Sequence, residues 1–161
     1  MKDYVFIIGR DIELGVLEII SCLTFHNTKF EIKKLNKNVL LISIDNFDPK
    51  ILINRLGGTI KIGEVISYGE DIYTDLDKIN LDISGNKINY SLSAYNNPQS
   101  LVKVNNYFKK RFREEGIKFS SKIFISLDSP KKIKLEEKNG IDIILFSNYI
   151  AKTVAVSNPL S

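Results

Sequence analysis

Apolar positions along the chain alternate between the two-residue rhythm of strands and the roughly 3.6-residue rhythm of helices, and their succession predicts the elements. Tyr4–Ile8 is a short apolar strand that stops at Gly9-Arg10. Asp11 is a natural N-cap, with Glu13 near the positive end of the helix dipole, and the helix it opens runs to about Leu23. Leu14, Val16, Leu17, Ile19, Ile20 and Leu23 leave this helix little polar surface, which predicts that it is well buried. Phe30–Leu35 and Val39–Ile44 are strands joined by Asn36-Lys37-Asn38, a hairpin turn by composition. Asp48-Pro49 opens a second helix toward Leu56, Gly57-Gly58 ends it, and Thr59–Tyr68 alternates as a strand.

The order β-α-β-β-α-β over residues 1–69 predicts a ferredoxin-like domain, an antiparallel sheet with both helices on one face. Residues 70–86 are acidic and weakly periodic and read as a linker. Residues 87–161 form a second α/β domain. It has a strand at Ile88–Tyr95, a helix over Pro98–Gly116, a strand at Lys118–Leu127, a charged connection, and strands at Ile141–Phe146 and Ala151–Val156. The fold class is therefore α+β in two domains. In the second helix, Leu101, Val104, Phe108 and Phe112 fall on one stripe, the mark of a core-facing side. Lys103, Asn106, Lys109, Lys110 and Arg113 fall away from it. Pro98 suits the first turn, and Gly116 suits a left-handed stop.

Charge sharpens this picture. The 161 residues carry a formal net charge of +4, unevenly placed. Residues 1–85 hold 10 Lys and Arg against 13 Asp and Glu, a net of −3, while residues 86–161 hold 13 against 6, a net of +7. Such polarity points to a polyanion partner for the second half. The single Cys22 rules out an intrachain disulfide and four-cysteine zinc sites and fits a reducing cytoplasm. The N-terminus lacks the apolar run of a signal peptide, and no run approaches the roughly 18 residues of a membrane span. The expected location is the cytoplasm, with no membrane partner.

Catalytic chemistry is hard to assemble from these residues. Gly57-Gly58 lacks the context of a phosphate-binding loop and reads as a helix stop. Glu114-Glu115 and Glu136-Glu137 are neighbours in charged surroundings, not a pair in contrasting environments. One histidine, His26, stands in a polar segment without a second ligand or a nucleophile beside it. Binding is what remains. Lys103, Lys109, Lys110 and Arg113 on the helix, with Lys118 and Lys122 on the strand after it, form a candidate RNA-binding set. Lys131, Lys132 and Lys134 follow in the charged connection. Tyr95, Tyr107, Phe119 and Tyr149 are interleaved aromatics that could stack on unpaired bases.

Two stretches carry a family resemblance. YVFIIGRDIELGVLEIISCL followed by INRLGGTIKIGEVIS, with Leu56–Gly63 the most specific piece, resembles the N-terminal ferredoxin-like domain of THUMP-containing tRNA methyltransferases. The nearest in pattern are the archaeal and eukaryotic enzymes that methylate guanine-N2 at position ten of tRNA. NYSLSAYNN, a basic helix and NGIDIILFSNYIAKTVAVSNP resemble the THUMP domain itself, which in that family ends on a G-x-T-v-a-v-q-d-P segment. Here Ala151 stands where glycine is common, and Ser157-Asn158 replace the usual Gln-Asp. The resemblance covers essentially the whole chain. It implies tRNA binding, at the acceptor stem and 3′ end, by a THUMP-like domain at 87–161. Neither a glycine-rich S-adenosylmethionine strand–loop nor a D/N-P-P-Y motif follows. The resemblance therefore assigns the cofactor S-adenosylmethionine and methyl transfer to a methyltransferase catalytic domain acting in cis or in trans, with no cofactor held by this chain. The contrasting reading is a non-RNA ferredoxin-like interaction or oligomerisation module, whose basic helix is only a solvated face.

Overall fold

The computed structural model describes residues 1–68, 76–77, 86–95, 101–125 and 140–157, with the side chains of 122–125 excepted. It is a mixed α/β chain with eight strands and few helices among the described residues. Its contacts divide into two compact units, Met1–Val65 with Thr153–Ser161, and Ile66–Lys152. Of the segment 70–86 expected to be a linker, only Leu76, Asp77 and Asn86 lie within the described residues.

The first unit contains β1 (Lys2–Ile8), α1 (Ile12–Phe25), β2 (Phe30–Asn36), β3 (Val39–Ile44), α2 (Pro49–Ile53) and the start of β4 (Thr59–Tyr68). Its strands lie in the order β2-β3-β1-β4, and all three pairings are antiparallel. Local chemistry places each helix start. The Asp11 carboxylate accepts the Leu14 N–H at 3.0 Å, and the Asp48 carboxylate accepts from Lys50 at 2.9 Å. Alternation sends Tyr4, Phe6 and Ile8 to the same side as Leu40, Ile42, Ile44 and Ile62, where they meet Ile19 and Leu23 of α1 and Leu52, Ile53 and Leu56. After Val156 the chain is anchored in this unit, Ser157 donating its N–H to the Ile60 carbonyl at 2.8 Å.

Two expectations for this unit need correction. The first helix is not buried all round: Gly15, Ile19 and Leu23 are, but Leu14 and Leu17 are 55% and 59% exposed. Apolar composition predicted burial on every side, whereas one sheet covers one side only. The second correction concerns Gly57-Gly58. A short helix stops at Ile53, before these glycines, which instead lie against α1. Gly57 donates its N–H to Glu18 Oε2 at 2.9 Å, and a Cβ on Gly58 would sit 3.4 Å from the Gly15 Cα. Gly15 is tighter still, since a Cβ there would come within 2.4 Å of Ile8 Cγ2. Glycine at 15 and 58 thus lets α1 settle onto β1 and the loop before β4.

The second unit contains the end of β4, β5 (Lys87–Tyr95), α3 (Leu101–Glu114), β6 (Lys118–Ile125), β7 (Gly140–Phe146) and the start of β8 (Tyr149–Val156). Here the order is β6-β5-β7-β8, with β5 parallel to both β6 and β7, and β7 antiparallel to β8. Phe146 and Tyr149 are paired across a tight two-residue turn, where Ser147 takes a φ of 52°. Ile88, Tyr90, Leu92, Ile143, Leu145 and Ile150 make the sheet's contribution to a core closed by Val104, Phe108 and Phe112 of α3. On the reverse face of β7, Asp142 is wholly buried and accepts the Ser91 and Ser93 hydroxyls, each at 2.9 Å. A carboxylate inside the run IDIILF is tolerated because these donors replace water.

Candidate nucleic-acid interface

The interface is built from α3 outward. Its predicted first turn, with Pro98, lies outside the described residues; from Leu101 the helix follows the expected stripe. Val104, Phe108 and Phe112 are buried, and Phe108 and Phe112 stack at 5.8 Å beneath Tyr90, whose ring lies 5.6 and 5.5 Å from theirs. Asn105 joins the buried side, its Oδ1 accepting the Tyr90 hydroxyl at 3.0 Å. Burial raises the Tyr90 phenol above its ordinary pKa, so it remains a donor there. The helix ends as expected: Gly116 has a φ of +69°, and Ile117 reaches back to the Phe112 carbonyl at 2.8 Å. With one side fixed in the core, the cations are held on the other.

They fall into two groups. Lys103 and Lys110 line an open groove of about 800 Å³ with Asn106, Tyr107, Arg111, Asp77, Glu114 and Glu115. The walls of this groove are tied together. Tyr107 donates its hydroxyl to the Asp77 carboxylate, and Arg111 donates to the Leu76 carbonyl at 3.3 Å and to Glu115 at 3.4 Å. Burial, with the hydrogen bond to Asp77, pushes the Tyr107 phenol up to about 12. Lys103, Lys110 and Arg111 here stand among Asp77, Glu114 and Glu115, so this side of α3 is mixed in charge.

Lys109 and Arg113 form the other group, one helical turn apart in a single row. The Arg113 guanidinium lies over the Phe119 ring, 5.8 Å from its centroid, which turns this row toward β6. Lys118 opens β6 and is exposed; Lys122 stands on the same strand opposite Ser91, its side chain outside the described residues. The parallel register sets Lys87 of β5 beside Lys118. Sequence reasoning missed Lys87, because only the pairing of β5 with β6 makes the two neighbours. Lys131, Lys132 and Lys134 lie outside the described residues.

The interleaved aromatics fare differently. Tyr95 is only 1% exposed and cannot meet a base, which corrects the expectation for it. Tyr107 is occupied by Asp77, and Phe119 packs on Tyr90 and Phe112 beneath Arg113. Tyr149 stacks at 4.5 Å on Tyr68, an exposed ring that sequence reasoning did not single out.

Other candidate chemistry is sparse. Cys22 is half-buried beside the first unit's core, and His26 Nε2 lies 2.6 Å from Arg55 Nη1. Among the described residues no group of three or more His, Cys, Asp or Glu could hold a metal ion, and no helix is long and apolar enough to cross a membrane.

No protein-family model matches the chain, and no curated protein matches it. Among solved structures, a possible methylase from Clostridium difficile 630 resembles it with a TM-score of 0.47 at 12% identity, over 94% of this chain and 41% of that one. The chain thus spans about two fifths of that protein's length.

Proposed function

We propose that this chain is the tRNA-binding module of a tRNA-modifying enzyme, an S-adenosylmethionine-dependent guanine-N2 methyltransferase. Its first unit is read as ferredoxin-like, from the βαββαβ order and the antiparallel β2-β3-β1-β4 sheet. Its second unit is read as THUMP-like, from the sequence motifs around a basic helix. The observation that carries the proposal is the row Lys109–Arg113, held away from the core side of α3, with Lys118 and Lys87 exposed side by side at the starts of the strands β6 and β5. Phosphates of a folded RNA suit such a row, since ammonium and guanidinium groups on fixed elements neutralise a backbone without reading bases.

In this reading, the acceptor stem lies across α3 and β6, and the first unit spaces and orients the grip. Methyl transfer and S-adenosylmethionine belong to a catalytic domain joined in cis or supplied in trans, in the cytoplasm. Binding of labelled tRNA at low salt, compared with the same tRNA lacking its 3′ single-stranded end, tests the assignment. The proposal expects a clear shift with intact tRNA and a loss of about tenfold or more on truncation, the contribution of a few phosphate and base contacts. Equal affinity for both RNAs would contradict the 3′-end assignment, and no shift with either would contradict the function.

A further inference from the structure

The first unit carries a surface that RNA binding does not use. On α1 the buried residues Gly15, Ile19 and Leu23 define one side. The opposite arc holds Leu14, Leu17, Ser21, Thr24 and Phe25, all exposed and none charged. Phe25 is 82% exposed, its ring edge-on to His26 at 5.2 Å, and Ile51 of α2 adds another exposed apolar side chain. For a chain with 26% charged residues, an uncharged solvent-facing helix side over this length is a docking surface in want of an occupant.

Its ends supply the identity of that occupant. The first turn carries Asp11 and Glu13 and the last turn carries no basic residue of its own, but Arg55 is brought there by its contact with His26. The Arg55 guanidinium, 2.6 Å from the His26 ring nitrogen, sets a cation at this end of the arc. Glu18, at the edge of the arc, is already taken by the Gly57 N–H. The face therefore reads acid, apolar, base along its length. Such a pattern is complementary to itself when turned end for end.

We propose that α1 is the contact of a two-fold homodimer in which two copies of this helix pack antiparallel. Leu17 and Ser21 lie at the crossing, where the small serine admits close approach, and Leu14 packs against Phe25 of the other copy. Asp11 and Glu13 meet Arg55 of the other copy at both ends, as an isologous interface requires. Antiparallel packing also sets the two helix dipoles head to tail. The interface is independent of the RNA reading and stands if that reading fails.

Sedimentation of the full chain, without RNA, tests the proposal over a concentration range reaching about 0.2 mM, which covers weak dimers. Wild type should shift from monomer to dimer with concentration. Leu14→Lys with Leu17→Lys should remain monomeric while its circular dichroism and melting curve stay close to wild type, because both side chains are already exposed. Glu13→Arg and Arg55→Glu should each weaken association about tenfold or more, and the double swap should restore it. A wild type monomeric throughout, a double-lysine variant that dimerises like wild type, or a double swap without rescue would each overturn the proposal.

Discussion

Replacing Lys109, Lys110 and Arg113 together with glutamate is expected to reduce tRNA affinity by about 10³-fold or more at moderate salt, the scale on which several phosphate contacts act. The three positions sample both groups of cations, since Lys110 faces the groove and Lys109 and Arg113 form the row toward β6. On the proposed function, each replacement removes a phosphate contact and sets a carboxylate against the RNA backbone. Glu114 and Glu115 beside them would then deepen the repulsion. Lys109 and Lys110 lie outside the aromatic core and Arg113 only covers Phe119 at its edge, so the variant should keep its secondary structure. Native-like circular dichroism with lost binding places the interface on α3. Wild-type binding by a folded triple variant would remove it from there.

Phe112→Ala is expected to be the most damaging single change to the second unit, at about 3–5 kcal/mol, the range for emptying a buried aromatic site. Phe112 is fully buried and touches Phe108, Tyr90 and Phe119, at ring separations of 5.8, 5.5 and 6.0 Å. Phe119 in turn lies beneath Arg113. A cavity at this point should therefore loosen the row of cations as well as the core. Thermal melting should show a midpoint lowered by roughly 10 °C for a chain of this size, and tRNA binding should weaken below that temperature. Phe112→Leu, which leaves a smaller cavity, should recover most of both. An unchanged melting curve in Phe112→Ala would show that α3 does not dock through this stripe.

Much of the backbone was legible because short-range chemistry announced it. Asp11 and Asp48 are caps where capping residues stood before apolar runs, and Gly116 stops α3 in the left-handed region that glycine favours. The stripe Val104, Phe108 and Phe112 was readable from periodicity alone, and it placed the cations on the far side. What the sequence hid depends on distant partners. Leu14 and Leu17 look like core residues until the sheet is seen to cover only one side of α1. Asp142 is the one carboxylate in the run IDIILF, and the Ser91 and Ser93 hydroxyls that satisfy it come from a neighbouring strand far away in sequence. Lys87 becomes a neighbour of Lys118 through a parallel register that no local pattern encodes. The two-sided division of the α3 cations was likewise invisible, since it depends on Asp77 and Phe119 approaching from elsewhere in the chain.

The salt dependence of tRNA binding by the full chain tests the central claim most directly. If Lys103, Lys109, Lys110, Arg113, Lys118 and Lys122 meet phosphates, log K should fall linearly with log[salt] with a slope of about −4 to −5, near 0.7–0.9 per contact. The triple glutamate variant should flatten that slope by about 2–3. A slope near zero in wild type, or an equal slope in the variant, would contradict the assignment of tRNA binding to this face.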